Sequence, residues 1–193
     1  MKGMIFLAKI YIDQGHNPQN PNAGAEGNGY REQDIVFRIG RSLADLLSQD
    51  QRFDVKLSRP TQSTQLGQSN ATSLRARVED ANSWGANYFI SLHTNASAIP
   101  SANGTEGYAY SRESQGFILG EYILINISRV TGLKNRGMKT RPTLYVLKRT
   151  AMPSVLLELG FISNAYEADL MANQPYLFAL GIYNGMLEYF GFS

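Results

Sequence analysis

Cysteine is absent from this chain, and histidine occurs only twice in 193 residues, as His16 and His93. The missing cysteine excludes disulfide scaffolds, thiolate-bound zinc, iron–sulfur clusters and thiol catalysis. An excess of one charge sign is lacking too, with 18 Lys and Arg against 16 Asp and Glu and a formal net charge of +2. So small an excess gives no argument for nucleic acid. No apolar run approaches the ~20 residues needed to cross a bilayer, so no membrane partner is expected. The apolar part of MKGMIFLAK is interrupted at Lys9, and no small-residue cleavage site follows. This start therefore reads as a first strand and not as an export signal. What is present, 43% apolar and 18% charged residues, suits a single globular domain over 1–193 with a substantial core.

Apolar patterning divides the chain into alternating strands and helices. Strands are expected at Ile5 to Asp13, Phe53 to Leu57, Tyr88 to Leu92, Thr105 to Tyr110, Leu144 to Leu147 and Ser154 to Leu159. Helical spacing of Ile35, Ile39, Leu43 and Leu47 marks a helix over 31–48, with Asn28 or Gly29 as its cap. Ser73 reads as the cap of a second helix that Gly85 stops, and 114–131 as a third ending at Gly132. Asn164 with Glu167 resembles a capping box, and Pro175 opens a last helix to Phe190. The segments Gln14 to Tyr30 and Arg59 to Thr72 read as polar loops, the first too polar to pack. Strand–helix alternation predicts an α/β fold: one domain, a twisted and mostly parallel sheet of about six strands, helices on both faces.

In such a sheet ligands bind beyond the carboxyl ends of the strands. His16 and His93 each follow an apolar strand-like run there, and Glu158 lies near the end of a third in SVLLELGF. Two neutral imidazoles and one carboxylate make a catalytic zinc site with one position open. Asp13, Glu26, Glu32 and Asp34 are the carboxylates near His16, and spacing alone does not choose among them. Glu32 would be held rigidly at a helix start, where acids are common in any case. Asp13 suits a supporting role, accepting an N–H from an imidazole or a loop amide. Glu158 sits among Val155, Leu156, Leu157, Leu159 and Phe161. A carboxylate there needs a partner, a zinc-bound water or an arginine, and burial would raise its pKa toward that of a general base.

The motifs IYIDQGHNP, REQDIVFRIG, ANYFISLHTNAS and PSVLLELGFISN occur in this order, with SLRARVEDANSWGA and NRGMKTRPTLYVLKRTAMP between them. Together they resemble the zinc-dependent N-acetylmuramoyl-L-alanine amidases of the Amidase_3 type, over nearly the whole chain. The resemblance implies that His16, Glu32 and His93 bind one Zn2+ per chain and that Glu158 is the catalytic acid/base. It also implies a single α/β domain, a monomer, acting on the stem peptide and glycan of peptidoglycan in the bacterial cell wall. The first motif departs from the common form: Gln14 stands where Pro is frequent, and Asn17-Pro18 where Gly-Gly is frequent. The implied reaction breaks the bond between the muramic acid lactyl group and L-alanine, the chemistry of autolysins, endolysins and sporulation enzymes. Two other readings are a catalytically idle wall-binding module on the same fold and a zinc peptidase cutting within the stem. Without an export signal, action on the wall implies release by lysis, another export route, or a longer secreted parent.

Two further features stand apart. Lys134, Arg136, Lys139, Arg141, Lys148 and Arg149 fall in one segment without an acid, suited either to anionic wall groups or to a solvated loop. Stacking residues for nucleic acid are missing there apart from Tyr145. Asn95, just after His93, suits substrate orientation or a simple turn. The segment Asn22 to Gly29 lacks the Gly-Lys-Ser/Thr of a phosphate loop, and HExxH is absent, which excludes a thermolysin-like protease signature.

Overall fold

Alternation along the central strands decides which way each side chain faces. The computed structural model describes residues 7–192. Strand β1 (Ala8–Gln14) turns Ile10 and Ile12 to one face and Tyr11 and Asp13 to the other. Strand β5 (Tyr88–Asn95) does the same with Ile90 and Leu92 against Phe89, and β8 (Ser154–Phe161) with Val155, Leu157 and Leu159 against Leu156. With β4 (Phe53–Leu57), β6 (Thr105–Ala109) and β7 (Asn135–Thr140) they form one six-stranded sheet, ordered β4-β1-β5-β8-β6-β7. All neighbours are parallel except β6 and β8, which run antiparallel.

The first face is thick. Helices α1 (Glu32–Ser48), α3 (Gln115–Thr131), α5 (Ala165–Asn173) and α6 (Pro175–Phe190) bury the aliphatic residues there. The second face is thin: α2 (Asn70–Trp84) and the short α4 (Tyr145–Arg149) pack on Tyr11, Phe89 and Leu156, with the partly buried Tyr108 beside them. Toward the carboxyl ends of β1, β5 and β8 that thin face carries polar groups. The α/β architecture is thus the expected one, with six strands and helices on both faces. A small hairpin, β2 (Glu26–Gly27) and β3 (Tyr30–Arg31), leads into α1.

Several elements differ from the sequence reading. Leu144 to Leu147 is not a strand; residues from Tyr145 form α4, because a four-residue apolar run fits either period. The sixth strand is β7, NRGMKT, an edge strand that pairs only with β6 and carries no apolar alternation to announce it. Helix α2 starts at Asn70, capped by Ser69, whose hydroxyl accepts from Thr72 N while Thr72 answers. Ser73 lies inside that helix, buried, and accepts from Asn22 Nδ2 at 3.0 Å. The residue before α1 is Arg31, with no side-chain cap, in place of Asn28 or Gly29. Asn164 caps α5, but Glu167 does not close a box: it accepts from the backbone N–H of Gly104 and Phe161. The loop 14–30 does pack, with Asn17 fully buried and bonded to Pro21 O and to the Leu66 backbone. Strand β1 extends through Gln14; the expected strand start at Ile5 lies outside the described residues.

Candidate metal centre

Three separate segments bring His16, Glu32 and His93 together. His93 lies within β5 and not past its end, and the ladder with β8 shifts register between His93 and Asn95. Such irregularities re-aim side chains next to sites. His16 follows β1 with φ 63, a left-handed conformation uncommon outside glycine. Gly15 beside it has no space for a side chain: a Cβ would stand 2.5 Å from His93 Cε1. Gly24 is equally pressed, its Cβ position lying 2.8 Å from Glu32 Oε2 and 2.9 Å from His16 Cδ2. Glu32 opens α1, where the helix start favours a negative charge. Its Oε2 accepts from Ala25 N and its Oε1 from Thr94 N, each at 2.9 Å.

The donor atoms form a near-equilateral triangle. His16 Nε2 and His93 Nδ1 are 3.2 Å apart, His93 Nδ1 and Glu32 Oε1 3.1 Å, and His16 Nε2 and Glu32 Oε1 3.2 Å. Ligands about 2.0 Å from a tetrahedral ion stand about 3.3 Å from one another, so this spacing and this donor set fit zinc. The three residues are a group able to hold a metal ion. Burial opposes charge on Glu32, yet His16 and His93 outweigh it and hold the carboxyl below its usual range. Burial likewise opposes charge on His93, and Glu32 outweighs it, raising the imidazole.

Glu158 is the Cα partner of His93 across the β5–β8 ladder, so both side chains leave the same face. Its Oε2 is buried and takes no hydrogen bond from the described residues. Burial pushes its pKa up to about 7; Glu32 and Glu106 add to the rise, while His93 and Arg141 oppose it. No arginine forms an ion pair with it among the described residues. A carboxyl at that pKa exchanges its proton near neutral pH. A cleft of about 120 Å³ opens beside the triangle, bounded by His16, His93, Tyr145 and Leu156.

The other carboxylates have different duties. Asp34 and the exposed Glu26 lie 3.6 and 3.7 Å from Arg31. Asp13 is on the thin face but serves neither imidazole: it accepts from Arg77 Nη1 at 2.5 Å and Ser91 Oγ at 2.7 Å. Arg77 also donates to Gln14 O at 2.6 Å and His16 O at 2.5 Å, so it anchors the backbone that presents His16.

Residues 10–188 match the family described as N-acetylmuramoyl-L-alanine amidase. The chain belongs to this family. It is 34% identical to the N-acetylmuramoyl-L-alanine amidase CwlM of Bacillus licheniformis, the alignment covering 97% of this chain and 70% of CwlM. It is 33% identical to the amidase LytC of Bacillus subtilis over 98% of this chain, which spans only 37% of LytC. The catalytic domain of the amidase CwlV from Bacillus (Paenibacillus) polymyxa var. colistinus superposes with a TM-score of 0.81 at 30% identity, over 96% of this chain and 99% of that one.

Within this amidase fold, sequence reasoning missed two supporting residues. Arg77 left one signal, an arginine on the helix face shared with Ser73 and Ala81, both buried. Glu106 left none. It lies opposite Glu158 across the antiparallel β6–β8 pair, and only that topology brings the two acids side by side. Asn95 makes a turn contact, Ala96 N to its Oδ1 at 3.0 Å, and donates to Glu106 Oε1 at 3.1 Å.

Proposed function

We propose that this chain hydrolyses the amide bond joining the lactyl group of N-acetylmuramic acid to L-alanine in peptidoglycan stem peptides. The observation that carries this reading is a His–Glu–His donor triangle with a buried, unpaired carboxyl one strand away, inside a chain of the amidase family. In it His16, Glu32 and His93 hold one zinc ion, and the whole of 1–193 serves as one catalytic domain, working as a monomer on the cell wall. Zinc bound by this set supplies a Lewis acid that polarises a carbonyl and acidifies water near pH 7. Glu158 receives the proton of the attacking water on its carboxylate. As the new C–O bond forms and the C–N bond breaks, Glu158 returns that proton to the L-alanine nitrogen. A pKa near 7 suits both halves of this exchange. Arg77, through the His16 carbonyl, keeps the first imidazole in place during both.

Digestion of purified peptidoglycan tests the reading. The expected products are intact lactyl groups and peptides with a new amino-terminal L-alanine, identified by mass spectrometry and abolished by chelation. Glu158→Gln should retain stoichiometric zinc and lose about 10²–10⁴-fold in turnover, and His93→Ala should lose the zinc itself. Peptides cut within the stem would instead make it a zinc peptidase, and wall binding without release would make it an idle module.

A further inference from the structure

The basic segment recognised in the sequence is organised by a single buried acid. The side chain of Glu106 is 4% exposed, and its Oε2 accepts from Arg136 Nε and Lys139 Nζ, each at 2.7 Å. Its Oε1 accepts from Tyr108 OH at 2.6 Å and from Asn95 Nδ2 at 3.1 Å. Lys139 and Arg136 stay 44% and 34% exposed, although Arg136 also donates through Nη1 to Asn103 O at 3.1 Å. Arg141 lies over the Tyr108 ring at 5.6 Å, with the Lys139 ammonium 5.9 Å from the same ring. Arg141 makes no ion pair among the described residues. Two cations therefore share one acid with a third, Arg141, beside them, and the patch keeps a surplus of positive charge.

Its position relates it to the bond under attack. Glu106 is the Cα partner of Glu158, and Tyr108 and Lys139 are partners across β6 and β7. Neighbouring strands lie about 4.8 Å apart, so the cations stand about one to two strands from Glu158. An extended peptide advances about 3.5 Å per residue, so the residue after L-alanine reaches that distance. We propose that Lys139 and Arg136, fixed by Glu106, together with Arg141 over Tyr108, form a subsite for a carboxylate of the stem peptide beyond L-alanine. The site thereby prefers a stem whose second residue carries a free carboxylate over one carrying the primary amide. This inference rests on the amidase reading.

The experiment compares two defined muropeptides, one with a free carboxylate on the second residue and one with its primary amide, on single preparations of wild type and Lys139→Gln. A charged hydrogen bond is worth roughly 1.5–3 kcal/mol, so the wild type should favour the acid by about 10- to 100-fold in kcat/KM, mostly through KM. Lys139→Gln should erase most of that ratio, and Lys139→Arg should restore it. Because the ratio is taken within one preparation, partial misfolding does not move it. Equal kcat/KM on both substrates by the wild type would overturn the subsite. So would an unchanged ratio in Lys139→Gln, including the case where only hydrolysis of walls bearing anionic polymer declines. Failure to release lactyl groups from either substrate would instead sink the amidase reading.

Discussion

Arg77 illustrates at the scale of one residue how a buried charge is retained. Arg77 and Asp13 have side chains 1% exposed, and the pair is completed by Ser91 Oγ and two backbone carbonyls. Burial alone would raise the Asp13 carboxyl, but Arg77 and Ser91 hold it below the usual range. Removing one partner of such a pair leaves an uncompensated charge, at a cost of about 3–5 kcal/mol. Arg77→Met should therefore lose roughly that much in urea unfolding at neutral pH, and adding Asp13→Asn should recover part of it. A loss under about 1 kcal/mol would show that the pair is not what holds the His16 turn. His16, His93 and Glu158 were legible in the sequence as candidates, because each sits in a short ordered motif. It left Asp13's partner unread, since Arg77 is 64 residues away and only the packing of α2 on β1 joins them.

Between elements, α3 and α6 approach one another closely. A Cβ at Gly185 would stand 2.5 Å from Ile123 Cα, and one at Gly181 2.7 Å from Ile127 Cα. Both contacts are with backbone and cannot swing aside. Gly185→Ala gains about 1 kcal/mol of helix propensity but forces the helices apart, an overpacking cost of about 1–3 kcal/mol. The expected net result is a lower thermal midpoint, measured by circular dichroism; a higher midpoint would contradict the packing. Elements were readable in the sequence where burial imposes a period, as in β1, α1, α3 and β8. They were not where burial is slight: β7, at the sheet edge, has no alternation, and α4 is too short to show its period.

For the molecule as a whole, the acid limb of stability follows from its paired carboxyls. Burial opposes charge on Glu106, yet Lys139, Tyr108 and Arg136 hold its pKa down at about 2, against an ordinary 4.5. A depressed carboxyl contributes fully above its unfolded pKa, and the contribution fades as pH falls through the folded one. The stability difference between wild type and Glu106→Gln should hence be constant above about pH 5 and shrink toward pH 2, as read from urea unfolding across pH. A difference independent of pH would rule out this origin. Asp13 acts in the same direction.

The ladder that seats His93, Glu158 and Glu106 side by side also sets what an assembly error would produce. Side chains alternate along β8, so a slip of one residue would turn Glu158 into the aliphatic layer beneath α3. Leu157 or Leu159 would then face the two histidines. That shift would bury a charge and expose a leucine at once, and both changes disfavour it. The same pleat that seats Glu158 between His93 and Glu106 thus disfavours its nearest misalignment.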